Sequence, residues 1–196
     1  MILRYAITDP LYYSSNPSVL KDSVDQVLSA KCIDLISLRD KRSDNYEALA
    51  KEFLSLKPRF PNTQFLLHTD VNLAAELQAD GIHLPSDRMD WIETAKRLGL
   101  WTVVSTHTFE EAKRSEALGA DAITFSPIFP TPGKGPPQGL EKLKEIKDKI
   151  SIKIFALGGI VTEKQIAAVE EAGTDGFASI RYFCNYSQGN IDNECI

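Results

Sequence analysis

Short runs of apolar and β-branched residues alternate along the whole chain with stretches in which apolar residues recur every three or four positions. The short runs predict eight strands, at residues 2–8, 35–38, 65–67, 81–84, 102–105, 122–125, 153–157 and 176–179. The stretches between them predict helices at residues 19–30, 46–56, 91–98, 109–118, 140–150 and 163–172. This alternation is typical of βα units around a parallel sheet.

Eight βα units predict an α/β fold, a compact TIM barrel shorter than the ~250 residues usual for this architecture. The shortage falls at the C-terminus, where no helical period follows the eighth strand, so the last helix is expected to be short or missing. We expect one barrel domain over residues 1–184 and a polar, flexible tail over residues 185–196. The rival architecture is a doubly wound open sheet, which usually has fewer strands and a glycine-rich turn after the first.

Composition and charge exclude several classes of partner. The chain has 196 residues, of which 43% are hydrophobic and 25% charged, and its net charge of −5 is spread along its length. A basic stripe for nucleic acid or an anionic membrane is missing, and no apolar run approaches the ~20 residues of a membrane span. The N-terminus lacks the pattern of a signal peptide. We therefore expect a cytoplasmic protein with neither nucleic-acid nor membrane partners.

The cysteines and histidines give little sign of a metal centre. Cys32, Cys184 and Cys195 are odd in number and lack CxxC spacing, which argues against a disulfide framework and a zinc site and favours incidental thiols. The three histidines do not sit with clustered carboxylates, so no transition-metal site is expected.

In a βα barrel the active site lies where the strands end, and polar residues do follow the predicted strands. Arg39 and Lys41 leave the second strand with the same parity, so both can face the barrel mouth and hold a carboxylate, phosphate or pyrophosphate. An arginine at a strand end can instead bridge neighbouring acids. The side chain of His107, after the fifth strand, is suited to proton transfer near neutral pH.

Two further features point to phosphate. Gly158 and Gly159 follow the seventh strand and can expose backbone N–H groups, although a tight turn without ligand would need the same residues. The segment 129–139 is rich in glycine and proline and contains Lys134, which is typical of an active-site lid.

Several phrases of the sequence resemble the thiamine phosphate synthase and TenI family, over nearly the whole chain to about Phe183. The resemblance rests on residues 5–9 (YAITD), 38–41 (LRDK), 79–84 (ADGIHL), 105–107 (STH), 129–134 (FPTPGK), 139–141 (GLE) and 156–160 (ALGGI). It implies a barrel that binds thiazole phosphate on the Gly158–Gly159 side. The substrate-binding residues that it implies are Arg39, Lys41, His68, Ser105, Thr131, Lys134, Gly158, Gly159, Ile180 and Arg181.

The family contains two activities. Synthases join a pyrimidine pyrophosphate to thiazole phosphate and use Mg²⁺ held by acids after the third and fourth strands. TenI-type proteins lack that metal site and isomerise a carboxylated thiazole phosphate, with a histidine after the fifth strand moving the proton.

Departures from the family pattern favour the second activity. The positions of the two metal-binding acids hold Thr69 and Arg88, and an arginine would repel Mg²⁺. Asp70 and Asp87 each lie one residue away, so a local shift in register would restore two acids. Arg181 stands where the family usually has a phosphate-binding serine, and it would either clamp the phosphate or fill its pocket.

The sequence thus predicts a TenI-like thiazole tautomerase that needs no metal or other cofactor and uses His107 as its acid and base. The alternatives are a Mg²⁺-dependent thiamine phosphate synthase and a non-catalytic regulator that binds thiazole or thiamine phosphates. The expected partner is a small phosphorylated thiazole. A homodimer is possible, because a missing last helix would leave apolar barrel surface for a second subunit.

Overall fold

The computed structural model describes residues 2–184, and it forms a closed barrel of eight parallel strands. The strands are β1 (Leu3–Ile7), β2 (Leu35–Leu38), β3 (Gln64–His68), β4 (Gly81–Leu84), β5 (Trp101–Thr106), β6 (Ala122–Phe125), β7 (Lys153–Leu157) and β8 (Gly176–Ser179). Each strand pairs with the next in the chain, and β8 closes the barrel on β1, where Tyr5 faces Ala178. The predicted barrel is confirmed, and the open-sheet alternative is wrong. The predicted tail, residues 185–196, lies outside the described residues.

The helices of the described residues lie between the strands. They are α1 (Pro10–Tyr13), α2 (Pro17–Ala30), α3 (Tyr46–Leu54), α4 (Val71–Glu76), α5 (Ile92–Arg97), α6 (Phe109–Ala117), α7 (Gly139–Lys147), α8 (Glu163–Glu171) and α9 (Arg181–Cys184), with 3₁₀ turns at Lys57–Arg59 and Ser86–Trp91. The recurrence of apolar residues did not predict α1 or α4, because these helices have only four and six residues, too few to show a helical period. The last helix, α9, has four residues and is short, as the sequence predicts.

Alternate strand residues face two separate cores. One set lines the barrel interior: Tyr5, Ile7, Leu35, Leu66, Val103, Ala122, Phe155 and Ala178. The other set packs against the helices and includes Ala6, Ile36, Leu67 and Val104. Because side chains alternate along a strand, residues two positions beyond the first set, such as Ser37, His68 and Ser105, also face inward, nearer the mouth.

Two expectations about the chain as a whole are checked by the structure. Cys184 has a free thiol, but Cys32 is disulfide-bonded, so the expectation that Cys32 is an incidental thiol is wrong. Cys195 lies outside the described residues. Among helices of residues 2–184, none is long and apolar enough to cross a membrane.

Candidate active site

A cleft of about 420 Å³ opens where β2, β3 and β4 end. Its lining residues come from the loops after these three strands and from the start of α3: Arg39, Asp40, Lys41, Tyr46, His68, Thr69, Asp70, Pro85, Asp87 and Arg88. This is the face at which barrel enzymes place their active sites. The structure thus brings together three of the predicted site residues, Arg39, Lys41 and His68.

The cleft holds three cations with different surroundings. The Arg39 side chain donates from Nη1 to Asp9 Oδ2 at 2.8 Å, and its backbone N–H donates to Thr8 Oγ1 at 2.8 Å. Arg39 thus bridges to a neighbouring acid, which the sequence analysis considered as its alternative role. This ion pair fixes the guanidinium beside the mouth. Within residues 2–184 neither Lys41 nor Arg88 forms an ion pair. The cleft therefore has positive charge available for an anion.

Three carboxylates also line the cleft, and one of them, Asp40, is held by hydrogen bonds from Ser15, Arg42 and Ser43. Asp70 caps α4 by accepting the Leu73 N–H on Oδ1 at 3.0 Å, which leaves Oδ2 free to bind elsewhere. Asp87 is exposed in the 3₁₀ turn Ser86–Trp91. Thr69, between β3 and Asp70, has a φ of 70°, a left-handed value that is costly for a β-branched residue. Strained residues of this kind cluster at functional sites. Asp70, the residue after Thr69, contributes the carboxylate of this loop to the cleft.

His68 forms the wall between the cleft and the barrel interior. Its Nε2 lies 3.1 Å from Ser37 Oγ, and its backbone N–H donates to the Tyr46 hydroxyl at 2.9 Å. Burial lowers the pKa of His68 well below its usual value, and His83, Arg39 and Lys41 lower it further. Tyr46 donates its own hydrogen to the Leu38 carbonyl at 2.8 Å. Sequence reasoning missed Tyr46, because the residue starts a helix and follows no strand.

His107 lies on the other half of the mouth, after β5. Its Nδ1 is 2.9 Å from the Ser126 carbonyl oxygen and 3.2 Å from Ser126 Oγ; because the carbonyl can only accept, Nδ1 carries a hydrogen, and the neutral ring has its lone pair on Nε2. A capping box holds the backbone beside it: Glu111 Oε2 accepts the N–H groups of His107 and Thr108, and Thr108 Oγ1 accepts the Glu111 N–H. The start of α6 therefore orients this imidazole.

Replacing Thr108 by Ala removes the cap of α6, and we expect the free energy of unfolding to fall by about 1 kcal/mol. Urea unfolding followed by circular dichroism measures the change. Thr108→Ser keeps the hydroxyl and is the matched control, expected to stay close to the native protein. Equal losses in both variants would show that the hydroxyl is not the stabilising group.

The residues predicted to bind thiazole phosphate meet around β7. A side chain on Gly158 would lie 2.8 Å from Pro127 Cα and 3.2 Å from Thr131 Oγ1, and one on Gly159 would lie 2.7 Å from the Pro130 carbonyl oxygen. Both glycines have positive φ, 100° and 71°. They are thus needed for the close approach of the loop after β6, and α8 begins only at Glu163. Gly158 and Gly159 therefore form the tight turn that the sequence analysis considered, and this turn needs both glycines whether or not a phosphate binds there.

The remaining predicted residues lie at the rim of the same half. Thr131 donates to the Phe129 carbonyl at 2.9 Å, and Lys134 is exposed in the loop before α7. Ile180 packs against the barrel-interior core, and Arg181 begins α9 with no ion pair in the described chain. Ser179, the nearest serine, is committed to the fold, since it donates to Ile160 O at 2.8 Å and accepts the Tyr182 N–H.

The predicted site therefore has two halves. Arg39, Lys41 and His68 lie in the cleft, while the others lie around the ends of β5 to β8: Ser105, His107, Thr131, Lys134, Gly158, Gly159, Ile180 and Arg181. Among residues 2–184 no group of three or more His, Cys, Asp or Glu side chains could by itself hold a metal ion.

A closed barrel with a charged cleft at its C-terminal mouth, lined by three cations and three carboxylates, defines an α/β-barrel protein. Comparison with known proteins assigns it more closely. The sequence model of a family described as thiamine monophosphate synthase matches residues 4–183, and the chain belongs to this family.

Relatives agree with this assignment over most of the chain. A protein named putative thiamine-phosphate synthase 2 from Aquifex aeolicus is 36% identical, over 91% of this chain and 96% of its own length. The thiamine-phosphate synthase of Methanocella arvoryzae is 36% identical over 75% of this chain and 72% of its own length. Among solved structures, a thiamine phosphate pyrophosphorylase from Pyrococcus furiosus has a TM-score of 0.78 and 28% identity, covering 91% of this chain and 85% of its own. The chain is thus a thiamine-biosynthesis protein, and its relatives' names favour the synthase alternative over the tautomerase.

Proposed function

We propose that the chain joins a pyrimidine diphosphate to thiazole phosphate and releases pyrophosphate, as thiamine-phosphate synthases do. One observation carries the proposal: a single cleft combines the cations Arg39, Lys41 and Arg88 with the acids Asp70 and Asp87. The cations suit a diphosphate, and the acids suit a metal ion bound with it.

The carboxylates fit Mg²⁺ by their chemistry. In phosphoryl-group sites this ion usually takes one or two carboxylates and completes its shell with water and substrate oxygens. The free Oδ2 of Asp70 and the exposed carboxylate of Asp87 offer that donor set. When bound, the ion would neutralise the diphosphate. The repulsion expected from Arg88 is reduced if Arg88 contacts the diphosphate rather than the ion.

The chain's own residues hold the two substrates on the two halves of the mouth. Asp9 orients the planar guanidinium of Arg39, which suits bidentate contact with phosphate oxygens, and Lys41 adds a mobile point charge. The thiazole phosphate is assigned to the half formed by Gly158, Gly159 and the Thr131–Lys134 loop. Binding both substrates across one mouth brings their reacting atoms together.

An assay of thiamine phosphate formation tests the proposal, with Asp87→Asn as the decisive variant. We expect the wild-type protein to couple the two substrates with Mg²⁺ and to lose the activity with EDTA. Asp87→Asn should lower kcat/KM about a hundredfold at fixed Mg²⁺, because one of two carboxylate ligands is gone. Asp90→Asn, an exposed neighbour outside the cleft, is the matched control and should change little. Equal activity of the two variants would contradict the proposed role of Asp87.

His107 supports a second candidate function, the tautomerase that the sequence favoured. Its Nε2 lone pair makes it a ready proton acceptor, since Nδ1–H is held by the Ser126 carbonyl. Conversion of the carboxylated thiazole phosphate to its aromatic tautomer, followed with His107→Asn as the comparison, tests this candidate. A wild-type rate equal to that in buffer, and unaffected by the substitution, would exclude it.

A further inference from the structure

Five polar side chains from five strands form a line across the barrel, beneath the mouth. His68 Nε2 lies 3.1 Å from Ser37 Oγ, and the His68 ring packs against the His83 ring with 4.4 Å between their centroids. The Tyr5 hydroxyl lies 2.7 Å from His83 Nδ1, and His83 Nε2 lies 2.9 Å from Ser105 Oγ. The line thus joins the wall of the cleft to β5, two residues before His107.

The middle of this line is sealed from water. Tyr5 is 0% exposed and His83 is 1% exposed, so neither can exchange its protein partner for water. Burial, with Arg39 contributing, lowers the pKa of His83 to about 3, and burial raises the pKa of Tyr5. Tyr5 is therefore a phenol with one hydrogen, and His83 is a neutral imidazole with one hydrogen.

The lengths of the bonds indicate which way the hydrogens point. Hydroxyl donors make shorter bonds than N–H donors, whose usual length is about 2.9–3.0 Å. The 2.7 Å bond between Tyr5 and His83 fits the phenol as donor, and a phenol is also more acidic than a neutral imidazole N–H. His83 then keeps its hydrogen on Nε2 and donates it to Ser105, in agreement with the 2.9 Å distance.

The far end of the line is left with one unused hydrogen. Ser105 accepts from His83, so its own hydroxyl hydrogen is free to turn elsewhere. Ser105 is partly exposed and faces the barrel interior, and His83 is its only side-chain partner among residues 2–184. This hydrogen is therefore available to an acceptor atom of a molecule bound in the mouth.

We infer that Tyr5 and His83 are positioning residues, which fix the Ser105 hydroxyl as a hydrogen-bond donor toward an acceptor atom of the bound substrate. The acceptor would be a ring nitrogen or an anionic oxygen, and a substrate group that offers only a donor at this point would be rejected. The inference rests on the proposed function in one respect: it requires that a substrate binds in the mouth. The direction of the hydrogen bonds from Tyr5 through His83 to Ser105 is a property of the protein alone.

The tautomer of His83 in the ligand-free protein tests this direction without any substrate. Two-bond ¹⁵N–¹H correlation spectra of the ¹⁵N-histidine-labelled full chain identify which ring nitrogen carries the hydrogen. We expect His83 as the Nε2–H tautomer, with Nδ1 as acceptor. A hydrogen on Nδ1 of His83 would overturn the inference, whether or not the protein is a synthase.

A double-mutant cycle in the coupling assay tests whether Tyr5 acts through Ser105. Tyr5→Phe and Ser105→Ala should each lower kcat/KM about tenfold, the effect of one lost hydrogen bond, and the double variant should be no worse than Ser105→Ala. Ser115→Ala removes a buried hydroxyl from helix α6, outside the barrel interior, and should leave kcat/KM unchanged. Losses that multiply in the double variant, or native kinetics in Tyr5→Phe, would contradict the inference. If Tyr5→Phe fails to fold, the wild-type tautomer still decides.

Discussion

Replacing Lys41 by Ala should lower kcat/KM for the coupling of the two substrates by about 10² to 10³, the largest effect on activity that we expect from one side chain. Lys41 lies in the cleft and forms no ion pair among the described residues, so its full charge is available to the diphosphate. A charge pair at 4 Å is worth about 4 kcal/mol near a protein surface, which is more than enough for this loss. Steady-state kinetics with each substrate varied in turn measures it.

Arg42→Ala is the matched control for Lys41→Ala. Arg42 is an exposed cation in the same loop, one residue away, but it does not line the cleft. It should leave kcat/KM within about twofold of the native value, since an exposed charge outside the site is strongly screened. If both variants lost activity equally, general electrostatic attraction rather than a specific contact would account for the effect.

Gly158→Ala should produce the largest loss of stability, about 3 kcal/mol, together with weaker binding of thiazole phosphate. The new methyl group would lie 2.8 Å from Pro127 Cα, and the φ of 100° is unfavourable for alanine. The loop after β6 would have to move, and that loop carries Thr131 and Lys134. We expect the KM for thiazole phosphate to rise about tenfold, while the KM for the pyrimidine diphosphate stays nearly unchanged.

Gly119→Ala separates the two causes of this loss. Gly119 also has a positive φ, 87°, but a methyl group there would meet nothing within 4 Å. It should cost only about 1 kcal/mol, the conformational part, and leave both KM values unchanged. Urea unfolding of the two variants gives the comparison. Equal destabilisation would mean that the approach of the loop to Gly158 contributes nothing.

Much of the barrel could be predicted from the sequence, because each strand is a short apolar run bounded by polar residues. Five of the eight predicted strands coincide with β2, β4, β6, β7 and β8, and the others differ only at their ends. The helix α4 was missed because its six residues span less than two turns, too few to show a period. Its capping residue, Asp70, was recognised only as a candidate acid.

The candidate site was predictable in its parts but not in its arrangement. Strand-end positions identified Arg39 and Lys41, and the family resemblance added His68. The structure brings all three into one cleft. The ion pair between Arg39 and Asp9 joins residues 30 positions apart, and no local pattern indicates it. The polar line through Tyr5, His83 and Ser105 was hidden for the same reason, since each member looks like an isolated polar residue in an apolar strand.

The placement of the two acids in the cleft could not be read from the sequence. A gapless comparison with the family put Thr69 and Arg88 where metal-binding acids are expected, and so favoured the tautomerase. In the structure Asp70 and Asp87, each one residue away, line the same cleft. The synthase proposal therefore rests on a feature that only the structure reveals.

A head-to-head turnover measurement on one preparation of the wild-type protein tests the central claim most directly. The pure protein is given hydroxymethylpyrimidine diphosphate with thiazole phosphate in one reaction and the carboxylated thiazole phosphate tautomer in another, each with Mg²⁺ and with EDTA. The synthase account predicts thiamine phosphate and pyrophosphate in equal amounts in the first reaction, only when Mg²⁺ is present. Isomerisation that is insensitive to EDTA, with no thiamine phosphate formed, would contradict it.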